Sequence, residues 1–374
     1  MPRQHRLRGM AKEWCLGAGF VALDIVRSIN GHTTERRFAG GSCGNVLAIL
    51  AYLGWKSAPI ARIGDDQPGR EIIKDLEYWS VDTRFLLRET TAQTPIVFQD
   101  IVFNRQGAAK HRFSRICPEC GARTAGYRPL IQRDIGEFVT SMPSASLFYF
   151  DRVAPANLEI AIRTRQNGAL VVFEPSGIKD PGLFARCLRA CHVFKYSNER
   201  LSGVRDAATD AEVPVEIETR GSSGLRVTIR QGRDTVHEEE LPAVPAPRLR
   251  DAAGSGDWCS AGFVHALLSD RDRLPNLARC QKAVVRALRW GQALAALNCS
   301  YEGARGLMYT MPREVMVAAL SDMLGGKDVG GQVETAVAKR QQGSRRTGTC
   351  IVCDRELKRG GSRPTCFVNS ISEP

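Results

Sequence analysis

Short, wholly apolar runs alternate with longer amphipathic ones through the middle of the chain. Leu147-Phe148-Tyr149-Phe150 reads as a strand, Asn157 to Gln166 as a helix, and Ala169 to Pro175 as a strand with a polar end at Glu174. Pro181 to Ala190 reads as a helix and His192 to Tyr196 as a strand. Such β-α-β-α repetition predicts a mostly parallel sheet with helices on both faces. Upstream, Trp14 to Val26 reads as one buried strand ending in Asp24, with a hairpin turning at Asn30-Gly31 after it. A helical pattern over Val46 to Leu53 stops at Gly54, and a second covers 70–82. Thr94 to Phe113 alternates apolar and polar positions around a turn at Asn104 to Gly107, which predicts another hairpin. Downstream, Val227-Thr228-Ile229 and the alternating segment after Gly232 form a strand pair. Ala261 to Leu268 and Leu277 to Asn298 form helices, and residues 325–345 turn to Gly, Gln, Lys and Arg as a linker would.

Length and composition add little to this picture: 374 residues, 43% hydrophobic and 25% charged, fit one large α/β domain with additions. No apolar run approaches ~18 residues, so no membrane span is expected. Asp24 interrupts the apolar stretch behind Arg6 and Arg8, and no small-residue cleavage site follows, so the expected location is the cytoplasm. Charge changes the picture more. Half of the net charge of +12 lies between Lys339 and Arg363, where eight Lys and Arg face only Asp354 and Glu356. A basic tail of this kind is either simply solvated or contacts nucleic acid or acidic protein surfaces.

Candidate chemistry concentrates in glycine-rich segments. In Asp251-Ala-Ala-Gly-Ser-Gly-Asp257, Gly254 and Gly256 let backbone amides of residues 254–257, Ser255 included, converge ahead of an apolar helix. The helix dipole favours an anion at that point, and Asp257 lies beside it, placed to take a proton from a hydroxyl. In isolation the same residues also describe a loop with an Asp cap. Gly40-Gly41-Ser-Cys-Gly-Asn45 lets backbone approach a ligand, with Asn45 offering a donor and an acceptor to a polyol. Thr219-Arg-Gly221-Ser-Ser-Gly224 reads either as a phosphate or ribose loop or as a plain turn before a strand pair.

These segments, in this order, resemble the PfkB (ribokinase-like) carbohydrate kinases. The 251–257 stretch resembles the family's DTxGAGD signature, with Ala252 and Ala253 for Thr and Ser255 for Ala. GGSCGN resembles its N-terminal GGxxxN, and Asn45 to Gly54 with Ile63 to Gly69 its NxAxxLxxLG…GxDxxG run. The resemblance implies a three-layer α/β sandwich from about 11 to 325, with lid segments near 27–39 and 92–116 forming a small β sheet over the sugar. It also implies ATP with Mg²⁺, and Asp257 as base with Gly254, Ser255 and Gly256 around the phosphoryl group. Asp24, Gly40, Gly41 and Asn45 would bind a sugar or nucleoside. Thr219, Gly221, Gly224, Asn298 and Gly303 would contact the nucleotide, and a homodimer would form if lid sheets pair. The family's NxxE motif falls at Ser197 to Leu201. If Leu201 is the usual apolar residue, Arg200 stands where a Glu is expected; in the other register Asn198 is in place and Leu201 is not acidic, and in both Glu199 is the carboxylate left to organise Mg²⁺. That displacement, with the added cysteines, keeps open a non-catalytic ligand sensor of the same fold.

Twelve cysteines remain to be placed. Seven are scattered through apolar or helical segments, where Cys acts as a small hydrophobe. The other five form Cys117-Pro-Glu-Cys120-Gly121, Cys350-Ile-Val-Cys353 and Cys366, the last three within an expected tail over 346–374. A four-thiolate zinc site from Cys117, Cys120, Cys350 and Cys353 is one reading, with Cys366 a substitute ligand. Two unrelated reduced pairs and a redox switch are the others. His111, the nearest His, reads as a lid or surface residue.

Overall fold

The computed structural model describes residues 13–30, 32–103, 109–269, 277–333 and 350–353. The expected hairpin tips at Gly31 and 104–107, the linker beyond 333, most of the basic tail and Cys366 lie outside the described residues. In chain order come β1 (Trp14–Ala18), β2 (Ala22–Asn30), β3 (His32–Gly40), α1 (Ser42–Tyr52), β4 (Lys56–Gly64), α2 (Gln67–Tyr78), β5 (Leu86–Glu89), β6 (Ile96–Phe103) and β7 (Ala109–Ser114). They continue with α3 (Gln132–Val139), β8 (Ala145–Phe150), α4 (Pro155–Gln166), β9 (Leu170–Phe173), α5 (Pro181–Ala190), β10 (Val193–Ser197), α6 (Arg205–Asp210), β11 (Val215–Thr219), β12 (Leu225–Gln231) and β13 (Asp234–Leu241). Four helices close the core: α7 (Ser255–Leu268), α8 (Gln281–Asn298), α9 (Gly306–Thr310) and α10 (Arg313–Leu324).

A nine-stranded sheet runs β13-β12-β11-β10-β9-β8-β1-β4-β5, and β5 through β11 in this order are parallel. Only β12 and β13 run antiparallel at its edge. The pleat sorts the apolar strand runs by alternation. Leu147, Tyr149, Leu170 and Val172 face a layer built from α1, α7 and α8, while Phe148, Phe150, Val171 and Phe173 face α4, α5 and α6. Both faces being covered, strands with no polar alternation are what such a sheet requires. Cys15, Cys43, Cys187, Cys191, Cys259 and Cys299 are all buried as free thiols, as their apolar settings imply.

A second, four-stranded sheet of order β3-β2-β6-β7 covers one end of the first. It corrects the expectation of a single strand over 14–26. The chain breaks at Gly19 and Phe20, because Asp151 lies where a Gly19 Cβ would stand and accepts the Phe20 N–H at 2.9 Å. Asp24 therefore sits within β2, in the lid sheet, and not at the carboxyl end of a main-sheet strand. The lid strands reach from Ala22 to Gly40 and from Ile96 to Ser114, so the lid begins earlier than residue 27.

The Gly64-Asp65-Asp66-Gln67-Pro68-Gly69 run resolves as a structural staple. Asp66 caps α2 through the Gly69 N–H and also accepts from the Thr94 N–H and hydroxyl, fixing the entry to β6. The segment after α10 also differs from the linker expected to start at 326. Val329 and Val333, four residues apart on one helical face, are both buried, so the core extends to 333.

Candidate active site

Asp257 lies in the first turn of α7, whose N-cap is Gly254 at φ 71° with no capping side chain. A Cβ on Gly254 would stand 2.3 Å from the Ala304 carbonyl, so the position requires glycine twice over. Gly256 is different: a Cβ there would meet Glu174 and Lys195 at an ordinary 3.8 Å. The Ser255 N–H is turned to the Ala252 carbonyl, which leaves the amides of Gly256 and Asp257 as the helix-terminal donors without a cap. The uncapped amides are thus fewer than the full run 254–257, in which Ser255 was expected.

Across the cleft, Asn45 donates its amide to Asp257 at 2.7 Å, joining residues 212 positions apart. Helix α1 starts at Ser42, earlier than expected, with Gly41 at φ 77° as N-cap, so Asn45 projects from its first turn. The Asn45 Oδ1 is buried with no hydrogen-bond partner. Gly40 makes room for Asp24, whose carboxylate occupies the volume a Gly40 Cβ would take. Asp24 thus packs on Gly40 beside the α1 N-cap Gly41, and Asn45 in the first turn of α1 reaches Asp257. Burial raises the Asp24 carboxyl to about 7; Arg305 opposes this and Asp75 adds to it. Asp257 is raised to about 7 as well, first by burial and then by the negative Glu174, against the Asn45 hydrogen bond, Lys195 and Arg200.

Beneath Asp257 lies a network that sequence reading did not single out. Glu174, just past the end of β9, pairs with buried Lys195 of β10 and accepts from the hydroxyls of Ser260 at 2.5 Å and Tyr149 at 3.2 Å. Lys195 also donates to the Gly256 carbonyl at 3.2 Å. Burial works against the Lys195 ammonium, yet Glu174 holds it above its ordinary range. Asp151, just past β8, accepts from the N–H groups of Phe20 and Cys43 and so ties the broken strand to α1. These carboxylates stand at the carboxyl ends of parallel strands, where open α/β sheets collect ligands. The signal in the sequence was one acidic residue closing each apolar run.

Asp251, the first residue of the loop, is fully buried and accepts from the N–H groups of Ala253 and Gly303, both at 2.7 Å, and from Gln99 of β6 at 2.8 Å. His111 of β7 places its Nδ1 3.3 Å away, so this His is a lid residue turned toward the loop.

Three expected nucleotide contacts are committed elsewhere. Asn298 is buried, donates to the carbonyls of Ala253 and Ala304 and accepts the Leu307 N–H, so no polar atom of it is left for a ligand. Gly303 gives its N–H to Asp251 and faces Val26 and Phe38 of the lid sheet, which corrects its assignment to an adenine wall. The Thr219 hydroxyl donates to the Tyr196 carbonyl at 3.2 Å, so it offers the cleft only a lone pair, not a donor. Gly221 and Gly224 do form a tight turn, at φ 55° and 93°, and Gly224 has no room for a side chain against Leu241 and Ala243. Exposed Glu199 reaches within 3.7 Å of where a Gly221 side chain would begin. Leu201 is buried in the core, as the usual apolar residue of the first register would be. Cys117, Cys120 and Cys350 bring their sulfurs within 4.8 Å of one another, away from this cleft at the foot of the lid.

The family model described as "pfkB family carbohydrate kinase" matches residues 26–108 and 153–311. Among curated proteins, an ATP-dependent ribose-1-phosphate kinase of Halopiger xanaduensis is 24% identical over 277 residues, 73% of this chain and 84% of that protein. A fructokinase of Vibrio alginolyticus is 22% identical over 79% of this chain and 95% of its own length. Among solved structures, the fructokinase of Xylella fastidiosa with bound ATP superposes with a TM-score of 0.62 at 18% identity, covering 88% of this chain and all of that one. The ribokinase of Arabidopsis thaliana complexed with ribose and ATP gives 0.59 at 20% identity, covering 83% of this chain and 99% of that one. At such identities these structures establish the ribokinase-like fold.

Proposed function

The chain belongs to the pfkB family of carbohydrate kinases, and from that premise we propose that it transfers the γ-phosphoryl group of ATP to a hydroxyl of a small sugar or nucleoside. The observation that carries this reading is the 2.7 Å contact between Asn45 and Asp257 at an uncapped helix N-terminus. It supports a reading in which a base, a polyol-binding amide and an anion cradle meet at one point.

Asp257 takes the proton of the acceptor hydroxyl as its oxygen bonds to the γ-phosphorus and the bond from that phosphorus to the ADP oxygen breaks. With its carboxyl raised to about 7, Asp257 is near the optimum for a base at neutral pH, being ionised in part yet still basic. The buried, unpartnered Asn45 Oδ1 accepts a hydrogen bond from the acceptor, and Asp24 takes a neighbouring hydroxyl. The amides of Gly256 and Asp257 and the dipole of α7 face the migrating phosphoryl group. Lys195, buried on Glu174 and on the Gly256 carbonyl, fixes the turn that aims them.

The 219–224 turn, with Gly221 and Gly224, lies along the nucleotide. Mg²⁺, when bound, neutralises charge on the ATP phosphates. Exposed Glu199 beside Gly221 fits a metal that keeps most of its water and needs few protein carboxylates. Arg200 brings a positive charge to bear on Asp257, and a guanidinium at this place would add positive charge beside a bound Mg²⁺ where the resemblance places a Glu.

The test is acceptor-dependent ADP release by the full chain with ATP and Mg²⁺ over pentoses, ketohexoses, sugar monophosphates and nucleosides. The expected result is turnover with one of these classes. Tight ATP binding with no acceptor-dependent ADP from any of them contradicts the proposal.

A further inference from the structure

The family model leaves residues 109–152 and the chain beyond 311 unmatched, and each of these two segments carries one Cys-x-x-Cys pair. The fold brings the two pairs together. Cys117 and Cys350, 233 positions apart, lie with their sulfurs 3.6 Å from each other, and Cys120 joins them within 4.8 Å. Cys353 follows Cys350 in a turn, partly buried against the same core, and its side chain acts on the Cys120 thiol from outside the 4.8 Å group. We propose that Cys117, Cys120, Cys350 and Cys353 bind one structural zinc ion, which staples the C-terminal segment to the foot of the lid sheet.

Sulfurs bound tetrahedrally at about 2.3 Å from zinc stand about 3.8 Å apart, close to the 3.6 Å between Cys117 and Cys350. A disulfide draws two sulfurs to about 2.05 Å and leaves others aside. Convergence of three sulfurs on one point, with a fourth cysteine one turn away, is a metal's demand. The Cys117-Pro118-Glu119-Cys120-Gly121 turn is also built as a knuckle. Gly121 takes φ 71° and returns its N–H to the Cys117 carbonyl at 2.9 Å, while the Cys117 N–H goes to Ala122 at 2.8 Å. The amides of Cys120 and Glu119 point at the Cys117 sulfur, and that of Ala122 at the Cys120 sulfur. Donors aimed at sulfur stabilise thiolates and orient them, the outer support that metal ligands recruit. An all-sulfur set suits zinc or iron, and phosphoryl transfer has no electron to move, so a closed, redox-inert site is the one this fold can use.

The position gives the site its role. Cys117 lies three residues past β7, and the strand-like return at Ile116 and Arg123 ends in Thr124, whose hydroxyl donates to the Ile96 carbonyl at the start of β6 at 2.7 Å. Cys117 and Cys350 are buried in the main core, and Ile351 and Val352 pack against it. One ion would thus clamp lid, core and C-terminal segment together. The convergence of the sulfurs stands apart from the proposed kinase chemistry, while the choice of zinc over iron rests on that reading; metal analysis separates the two.

The test is metal analysis of the full chain purified under reduction and without chelator. The expected result is about one zinc per chain, dropping below about a tenth in Cys120→Ser and in Cys353→Ser and unchanged in Cys366→Ser. Cys120 is exposed, so its variant keeps the core intact and its circular dichroism should match the parent. A chelator should lower the melting temperature of the parent and leave that of Cys120→Ser where it is. Iron in place of zinc, disulfide-bonded pairs, a reduced protein that takes up no added zinc, or full zinc in Cys120→Ser overturns the proposal. Loss of zinc in Cys366→Ser but not in Cys353→Ser overturns this ligand set.

Discussion

Asp251 and Asp257 open and close the same seven-residue loop, yet the fold treats them in opposite ways. Asp251 is sealed from solvent and accepts from two backbone amides and Gln99, with His111 beside it, so its charge is fully answered and its work is to tie the loop to the lid sheet and to Gly303. Asp257 receives one hydrogen bond, from Asn45, and stands over the like charge of Glu174. A buried charge that is fully hydrogen-bonded is structure, whereas a half-buried one with a single hydrogen bond and a like charge beneath it marks a candidate site. The glycines divide the same way: Gly254 is forced by backbone and contact, whereas Gly256 has space for a methyl group and keeps an open face toward the cradle.

Substitutions break this comparison in a graded order. Asp257→Asn should cut acceptor phosphorylation by about 10²–10⁴-fold, the usual worth of a positioned base, and leave ATP affinity by calorimetry within a few fold. The folded protein holds the Asp257 proton at pH values where the unfolded chain has released it, so this carboxyl favours folding below about pH 4 and the benefit is lost as pH rises toward about 7. The Asn variant should therefore melt no lower than the parent at pH 8. Asp251→Ala should do the reverse and remove stability first. It orphans buried donors at about 1–3 kcal/mol each, for a loss of about 3–5 kcal/mol in denaturant unfolding.

Asn45→Leu should lower kcat/KM by up to about a hundredfold through misplacement of the base and acceptor. Since the Asn45 hydrogen bond holds the Asp257 carboxyl down, its loss should shift the activity profile to higher pH. Gly256→Ala, the mildest, should fold normally and raise the KM for ATP severalfold, because the added methyl touches protein at ordinary distance but narrows the cradle.

Much of this was legible in the sequence. Apolar strand runs between amphipathic segments gave the doubly covered parallel sheet, and the order of glycine motifs gave the loop, the Asn45 turn and the family. What stayed hidden depended on where buried polar groups find partners. Asn298 and Gly303 lie at plausible spacing for a nucleotide, but Asp251, Ala304 and Leu307 use up their hydrogen bonds, which only packing could reveal. The single apolar stretch over 14–26 concealed a change of sheet because Asp151, more than 130 residues away, imposes the break at Phe20. The Glu174–Lys195 pair escaped notice for the same reason, as each residue looks ordinary until adjacent strands set them side by side.

The poise of Asp257 is tested most directly by the pH dependence of kcat at saturating acceptor, where Asp24 is already engaged by the substrate, measured for the parent and for the residual activity of Asp257→Asn. The account predicts that the parent rises with pH through an ionisation near 7 and levels above it, while the Asn variant shows no such limb. A parent profile that is flat from pH 5 to 9, or an Asn variant that keeps the same limb, would contradict it.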